Sequence, residues 1–347
     1  MQSRGRLGTK RTFICQSDIC MIKGKTGNEN YPIIPGHEAS GIVESVGSGV
    51  TKFQVGDHVI PLVFPNCDEC ALCISDKTNF CAAFRLDMAG LMLDGTSRLS
   101  LNGKIVYNFL NISSFSEYTV TSVHGLTKIK DSVPLNRACF MNCCVPTAFG
   151  AVNNTVNVFE GARVAVFGCG ALGLCTIQAA RAAKASRIVA IDINESKFVV
   201  AKEFGATDFI NPLSEKYANE SVESIIYKMF PGGVDFSFEA TGAGPSVMNS
   251  AFESVCVGWG KSVIYSVMNE KQNISTLPIN FIKGKTWTAT AVGQVKKKDY
   301  SKFADMYESG DIMLDSLVTD TLPIEQINTA IDNLQYGNAI RSIITFS

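Results

Sequence analysis

Histidine and tryptophan are scarce in this sequence, and long apolar or like-charged runs are missing from it. Only 3 histidines occur among 347 residues, so any histidine that binds a metal must be His37, His58 or His124. Charged residues make up 18% of the chain, and the formal net charge is −1 at pH 7. No basic stripe indicates a nucleic-acid partner, and no apolar run is as long as a membrane span. We therefore expect neither a nucleic acid nor a membrane as partner.

The N-terminal residues also lack the apolar core of a secretory signal. The chain nevertheless contains 12 cysteines. In a reducing compartment such thiols bind metals or serve as small buried side chains. We expect a cytoplasmic protein, and a length of 347 residues is enough for two domains with separate cores.

A short polar segment contains four of these cysteines, Cys67, Cys70, Cys73 and Cys81. Thiols at this spacing can close on one tetrahedral metal ion, and zinc suits four thiolates. Disulfides and buried thiols are the alternatives, but cysteines at every third position of a polar loop form neither an apolar stripe nor a sensible disulfide ladder. A site with four thiolates has no open coordination position, so the zinc predicted here is structural.

Two kinds of secondary-structure pattern divide the chain. Before Gly161, short apolar segments alternate with turn residues, which predicts a mostly-β region after a short polar opening. After Gly161, strands alternate with helices, which predicts an α/β Rossmann fold with a doubly wound parallel sheet. We expect one domain over 1–144 and 292–347, and a nucleotide-binding domain over 145–291. The six predicted strands of that domain are 163–167, 187–191, 208–211, 234–239, 262–265 and 286–291. A helix broken by Pro146 is predicted over 134–149.

A glycine motif follows the first strand of the predicted Rossmann domain. Gly168 allows the tight turn, Gly170 lets a pyrophosphate approach the backbone, and Gly173 lets helix and strand pack closely. Asp192 ends the next strand, where its carboxylate can accept hydrogen bonds from a ribose and would repel a 2′-phosphate. The motif in this context predicts NAD rather than NADP as the cofactor.

Cys15, His37 and Cys143 lie far apart in the sequence, and spacing alone does not unite them. A single histidine in a loop is more often a surface residue than a ligand, and single cysteines are more often buried thiols. Asp18 and Glu38, considered alone, are loop carboxylates of the usual solvated kind.

Several motifs together do relate these residues. The motifs are Cys15-Gln-Ser-Asp18, Gly36-His37-Glu38-Ala39, Gly56-Asp57-His58-Val59, the four-cysteine segment, Asp94-Gly-Thr-Ser-Arg98, Phe115-Ser-Glu-Tyr118, Gly168 to Gly173, Gly232-Gly-Val-Asp235 and Ile340-Arg341. With them, the chain from about Phe13 to Phe346 resembles the zinc-dependent alcohol dehydrogenases of the medium-chain dehydrogenase/reductase superfamily. Several details are most similar to the plant alcohol dehydrogenases and alcohol dehydrogenase-like proteins.

The resemblance implies a GroES-like catalytic domain beside the Rossmann domain, two zinc ions per chain, NAD, and a homodimer. It also implies that Cys15, His37 and Cys143 bind the catalytic zinc, with Cys144 as the neighbouring alternative to Cys143. Three protein ligands leave a fourth position open for the substrate. Asp18 then orients His37, and Glu38 lies near the metal.

The expected reaction is hydride transfer between an alcohol, or its aldehyde or ketone, and NAD. The remaining assignments also rest on the resemblance. Ser17 takes the position of the hydroxyl that first receives the alcohol proton, and Thr147 packs near the nicotinamide. The other predicted cofactor-binding residues are Leu172 within the glycine motif, Lys197 at the adenosine ribose and Arg341 at the pyrophosphate.

Among the departures from the family pattern, two bear on cofactor binding and the proton relay. Gln16 stands where Arg or His usually contacts the pyrophosphate, which predicts weaker NAD binding. Cys20 stands where a histidine often ends the proton relay, which predicts slower alcohol oxidation near neutral pH. The family also carries a longer segment before its first zinc cysteine, so we expect a shortened N-terminus. The alternative functions are therefore a specialised carbonyl reductase, or a catalytically impaired NAD-binding homologue or truncated gene product.

Overall fold

The computed structural model describes residues 4–27, 30–84, 90–266 and 272–346. The chain forms two compact units, the first comprising Met1–Cys143 and Val295–Ser347 and the second Cys144–Gln294. The boundaries predicted from the sequence are 144/145 and 291/292. Each unit has a sheet of its own.

In chain order the described strands are β1 Arg4–Phe13, β2 Ile33–Ile34, β3 Glu38–Val46, β4 His58–Pro61, β5 Leu99–Leu101, β6 Lys104–Asn108, β7 Tyr118–Ser122, β8 Leu126–Lys128, β9 Arg163–Phe167, β10 Arg187–Ile191, β11 Asp208–Ile210, β12 Phe236–Glu239, β13 Lys261–Ile264, β14 Thr286–Ala289, β15 Val318–Pro323 and β16 Arg341–Thr345. The α-helices are α1 Gln16–Ile22, α2 Ala71–Ile74, α3 Leu135–Ala138, α4 Cys144–Gly150, α5 Ala171–Ala182, α6 Phe198–Phe204, α7 Val222–Met229, α8 Pro245–Glu253, α9 Pro278–Ile282, α10 Ser301–Glu308 and α11 Ile327–Gln335. Of these described helices, none combines the length and apolar character needed to cross a membrane.

The first unit is built on a seven-stranded sheet whose order is β15-β16-β1-β3-β4-β8, with β7 also paired to β1. A smaller sheet, β2-β6-β5, lies in the same unit. Strand β1 therefore has neighbours on both sides and is central to the unit. The sequence pattern predicted a mostly-β region here, but the residues of β1 were predicted as a short polar opening.

The charged residues of β1 explain why its pattern was missed. The apolar residues Leu7 and Phe13 are fully buried. Between them, Lys10 and Arg11 interrupt the alternation by which half-buried strands are identified. The cation of Arg6 lies 4.1 Å from the ring centroid of Tyr118 on the neighbouring strand. Its Nε is 3.0 Å from the Glu44 carboxylate, so side chains of adjacent strands compensate its charge.

The second unit contains a parallel six-stranded sheet of order β11-β10-β9-β12-β13-β14. This is the doubly wound arrangement, and the strand order reverses between β9 and β12. Residues on one face of the sheet, among them Phe167, Ile191 and Ile210, pack in a core with α7 residues Ile225 and Ile226. The predicted α/β fold class is confirmed. In open α/β sheets ligands bind at the carboxyl ends of the strands where the order reverses.

The segment over 134–149, predicted as a helix broken by Pro146, consists of several pieces, and its break lies at Cys143. Helix α3 passes into a 3-10 turn, Cys143 breaks the helical path with φ −137° and ψ −80°, and α4 follows. Pro146 lies in the first turn of α4, where its missing N–H would have no helical partner in any case. The helical prediction was therefore wrong at Cys143, and this break allows the Cys143 side chain to turn out of the helix.

Candidate active site and metal centres

Three segments of the first unit bring four potential metal ligands together. Cys15 follows the end of β1 and is the N-cap residue of α1. His37 and Glu38 stand at the start of β3, where Glu38 pairs with Phe13 of β1. Cys143 comes from the break before α4. The ligand atoms of Cys15, His37, Glu38 and Cys143 all lie within 4.8 Å of one another.

Asp18 fixes the orientation of His37. Its Oδ1 lies 3.0 Å from Nδ1 of His37 and accepts the backbone N–H of Gly36 at 3.0 Å. Its Oδ2 accepts the backbone N–H of Cys15 at 2.9 Å. Burial opposes a charge on the imidazole, but the Asp18 carboxylate and Cys15 raise the pKa of His37 well above its usual value. With Nδ1 held by Asp18, Nε2 is the ring nitrogen left for the cluster.

Glu38 forms a buried ion pair with Arg341. The Arg341 Nη2 lies 3.0 Å from Glu38 Oε1, and its Nη1 donates to the carbonyl of Ile14 at 3.0 Å. The same Nη2 is 3.7 Å from the Cys15 Sγ. Arg341, for which the resemblance implies a pyrophosphate contact, is 4% exposed and contacts the metal-ligand cluster. The pair spans 303 residues of sequence, so no local pattern indicated it.

Burial and neighbouring groups perturb the protonation of the cluster. Burial raises the pKa of Glu38 to about 8, against the opposing effect of Arg341. Hydrogen bonding with Cys143, together with the positive charges of Arg341 and His37, holds the pKa of Cys15 well below its usual value despite burial. A thiolate at Cys15 is therefore favoured, and thiolate is the form of cysteine that binds metals.

The donor set of this cluster suits a zinc ion. Two cysteines and a histidine are the ligands of a catalytic zinc site with one open position. The Glu38 Oε2 atom is buried and has no hydrogen-bond partner within the described parts of the chain, so a cation nearby would compensate it. Cys144, the alternative ligand, is not a member of the cluster, and its Sγ lies 4.0 Å from the Cys175 Sγ of the second unit.

The four cysteines of the polar loop also converge. The Sγ atoms of Cys67, Cys70, Cys73 and Cys81 lie within 4.8 Å of one another. The Cys70 sulfur accepts backbone N–H groups from Ala82 at 3.4 Å and from Cys73 at 3.5 Å, and these contacts lower its pKa to about 6. The loop thus has the tetrathiolate donor set and the N–H···S bonds that suit a closed zinc site.

The glycine motif of the second unit has the expected geometry. Gly168 has φ +97°, a conformation that favours glycine. A β-carbon on Gly173 would lie 1.8 Å from the Gly168 carbonyl oxygen, so the close approach of helix and loop requires glycine. A β-carbon on Gly170 would point into open space, where a pyrophosphate could approach the backbone. The N–H groups at the start of α5 face the same place.

Asp192 and Lys197 lie beside this motif. Asp192 follows the end of β10, and its Oδ2 accepts the backbone N–H of Cys169 at 2.7 Å. The Lys197 Nζ is 3.3 Å from the same oxygen. Because Asp192 is bonded to the loop backbone, its carboxylate has a fixed position at the carboxyl edge of the sheet.

The other predicted site residues are distributed between the two units. In the first unit the Ser17 Oγ is 3.8 Å from the Cys15 Sγ and is half-buried. In the second unit Thr147 is a buried residue of α4, and Leu172 is the second residue of α5.

Comparison with known proteins decides the family. Residues 6–131 match the profile of the alcohol dehydrogenase GroES-like domain, and residues 171–309 match that of the zinc-binding dehydrogenase. The class-3 alcohol dehydrogenase of Myxine glutinosa is 41% identical over 341 residues, which cover 98% of this chain and 90% of that protein. The chain belongs to the zinc-binding alcohol dehydrogenases. A further relative of this family, the S-(hydroxymethyl)glutathione dehydrogenase of a Synechocystis strain, is 44% identical over 339 residues, which cover 96% of this chain and 90% of that protein.

Solved structures of the family have the same fold. The benzyl alcohol dehydrogenase of Acinetobacter calcoaceticus has a TM-score of 0.89 and 27% identity, covering 99% of this chain and 92% of that one. A zinc-binding domain alcohol dehydrogenase protein of Burkholderia ambifaria has a TM-score of 0.90 and 27% identity, covering 100% of this chain and 92% of that one. This alcohol dehydrogenase family member is a zinc-dependent oxidoreductase that transfers hydride between an alcohol, or its carbonyl counterpart, and NAD.

Proposed function

We propose that the first unit is the catalytic domain of this alcohol dehydrogenase and that Cys15, His37 and Cys143 hold its catalytic zinc. The convergence of their ligand atoms within 4.8 Å carries the proposal. When bound, a zinc ion there supplies Lewis acidity that lowers the pKa of an alcohol. The two cysteines and one histidine leave one coordination position for that alcohol.

The neighbouring side chains have separate tasks in this proposal. Asp18 keeps His37 in the tautomer that presents Nε2, because its carboxylate accepts from Nδ1. Arg341 balances the charge of Glu38 and Cys15, and we assign it to this cluster because its guanidinium is buried against them. The hydroxyl of Ser17, next to Cys15, would relay the alcohol proton by accepting it while passing its own hydroxyl proton to water.

We further propose that the second unit binds NAD. The pyrophosphate lies over Gly168, Gly170 and Gly173 at the start of α5, with Leu172 beside it. Asp192 accepts hydrogen bonds from the adenosine ribose, with Lys197 next to it. A 2′-phosphate at this place would meet the Asp192 carboxylate, so NAD is favoured over NADP. Thr147 packs near the nicotinamide.

The four-cysteine loop holds a second, structural zinc in this proposal. Its four sulfurs fill the tetrahedral coordination, so no position remains for a substrate. The support is the mutual approach of the four Sγ atoms and the N–H···S bonds to Cys70. Two zinc ions per chain follow.

The names of the relatives suggest the first substrate to test, S-(hydroxymethyl)glutathione. A simple primary or secondary alcohol is the broader class to compare with it. Preferential carbonyl reduction is a second candidate, favoured by Cys20. This thiol is buried and its burial raises its pKa, so it is a poor proton acceptor for alcohol oxidation at neutral pH.

A cytoplasmic homodimer is the proposed assembly. Strand β14 is at the edge of the described sheet of the second unit, where its outer backbone groups are available for pairing. Next to it in sequence, α9 exposes Phe281 at 50% and Ile282 at 79%. A second copy that pairs along this edge would cover these apolar side chains.

The proposal is tested by metal analysis and turnover of the purified chain. We expect two zinc ions per chain and NADH formation with S-(hydroxymethyl)glutathione or a simple alcohol, with NAD preferred over NADP. C15S should lose one zinc and nearly all activity, whereas C256S, a buried thiol in the second unit, should keep both. A C15S protein with two zinc ions and wild-type activity would contradict the assignment.

A further inference from the structure

Lys296 extends from the beginning of the second part of the first unit into the four-cysteine loop. Its Nζ donates to the backbone carbonyl of Cys73 at 3.1 Å and to the carbonyl of Ser75. These carbonyls lie at the carboxyl end of α2, the short helix that carries Cys73. The Lys296 side chain is 10% exposed. The Asp76 carboxylate is 3.8 Å from Nζ but 92% exposed, so water screens most of its attraction.

Lys297 supports the other side of the same loop. Its Nζ donates to the carbonyls of Val123 at 2.9 Å and His124 at 3.3 Å. The His124 carbonyl also accepts the backbone N–H of Asn66 at 3.1 Å, immediately before Cys67. The Asn66 side chain donates to the carbonyl of Asn79 at 3.2 Å, which joins the two ends of the loop. Lys297 is thus connected to the base of the loop through 123–124.

Burying the ammonium group of Lys296 is unfavourable unless other charges compensate it. The described partners of Lys296 are two carbonyl dipoles and one exposed carboxylate. Four thiolates around one divalent ion carry a net negative charge that these partners do not provide. A metal-loaded loop would therefore stabilise the buried cation of Lys296, and Lys296 would stabilise the loaded loop by the same interaction.

We infer that Lys296 and Lys297 are positioning residues that clamp the four-cysteine loop in its metal-binding shape. The inference rests on the structural zinc proposed above. Lys296 holds the turn that carries Cys73, and Lys297 holds the segment that orients Asn66 before Cys67. The retention of zinc by a loop at residues 67–81 then depends on side chains more than two hundred residues later, since Lys296 and Cys73 are 223 residues apart.

The first test compares K296M with K298M, because Lys298 is an exposed lysine of the same segment. We expect zinc to leave the loop of K296M roughly 10-fold faster than the loop of the wild type when a chelator is added. K298M should match the wild type. Hydrogen exchange assigns the loss to the loop, since the amides of Cys73 and Ala82 bond to Cys70 Sγ and should exchange faster in K296M.

If K296M releases zinc and exchanges its loop amides at the same rates as K298M, the proposed clamp is wrong. A wild-type loop without zinc would overturn both the clamp and the proposed structural site. A wild-type loop that holds zinc, combined with an unchanged K296M, would overturn the clamp alone. The two failures are therefore distinguishable.

A second test needs no substitution and decides the question if K296M fails to fold. The zinc-loaded protein is treated with an amine-acylating reagent, and the labelled lysines are identified by mass spectrometry. We expect Lys296 to react at least tenfold more slowly than Lys298 before chelation and at a similar rate after it. Equal reactivity of the two lysines before chelation, or lasting protection of Lys296 after zinc removal, would overturn the inference.

Discussion

The Asp18 carboxylate connects Cys15 and His37 of the candidate catalytic cluster, because one oxygen lies 3.0 Å from Nδ1 of His37 and the other accepts the N–H of Cys15 at 2.9 Å. An asparagine at this position has one oxygen and one NH2 group, so it cannot accept both hydrogen bonds in the same way. We expect D18N to lower zinc affinity roughly 10- to 100-fold and to reduce kcat. Metal analysis and turnover check this, with D131N, at an exposed carboxylate, as the matched control. A D18N protein equal to D131N would show that Asp18 has no role in metal binding.

Replacement of Gln16 should strengthen cofactor binding. Gln16 is the exposed first residue of α1, at the position where the family usually has a cation for the pyrophosphate. A charge-assisted hydrogen bond to the pyrophosphate would contribute about 1.5 kcal/mol to the binding free energy. Q16R should therefore bind NADH roughly tenfold more tightly than the wild type. Fluorescence titration with NADH measures this, and Q54R, at another exposed glutamine of the first unit, controls for added charge. Equal affinities of Q16R and Q54R would refute the explanation.

A histidine at position 20 should accelerate alcohol oxidation near neutral pH. Burial raises the pKa of the Cys20 thiol, and the Gln16 amide is 3.9 Å from its sulfur. The thiol thus keeps its proton at pH 7. An imidazole with a pKa near 6.5 can accept one, so C20H should gain up to about a hundredfold in rate. The pH profile of kcat, compared with that of C20S, tests this, and an unchanged profile in C20H would reject a relay through this position.

The Asp235 carboxylate should stabilise the second unit in a pH-dependent way. It accepts the Arg163 backbone N–H at 2.7 Å and the Trp259 Nε1–H at 2.9 Å. Burial opposes its charge, but these hydrogen bonds hold the pKa of Asp235 below its usual value. A lowered folded pKa stabilises the protein above the unfolded value of about 3.9, and the effect disappears as the pH falls through the folded pKa.

We therefore expect D235N to lose about 1–3 kcal/mol of unfolding free energy at pH 7. The difference from the wild type should narrow below about pH 4. Urea unfolding at several pH values measures this. In a W287F background, Trp259 fluorescence reports the titration of its own hydrogen-bond acceptor. A constant difference between the two proteins from pH 7 to pH 3 would exclude Asp235 as the titrating group.

Local motifs explain which features were predictable from the sequence. The four-cysteine loop and the glycine motif each lie within a few residues, so spacing alone indicated their chemistry. Cys15, His37 and Cys143 converge only after folding, and resemblance rather than spacing related them. No sequence pattern indicated the Glu38–Arg341 ion pair, because its two residues are 303 positions apart and meet only in the folded interior. Strand β1 was missed because its charged residues are typical of a polar terminal segment. Side chains of the adjacent strands compensate the charge of Arg6, and the sequence alone does not show this.

The register of β1 makes the candidate metal centre sensitive to strand slippage. Phe13 pairs with Glu38 of β3 on one side and with Ile343 of β16 on the other. Arg341 begins β16, whereas Cys15 follows β1 and His37 precedes β3. A shift of β1 by one residue would turn the side chains of β1 to the opposite face and displace Cys15 from His37 and Arg341. A bound ion would thus act as a cross-link against sliding of the strands. Single-residue insertions in β1 should consequently abolish metal binding even where the sheet still forms.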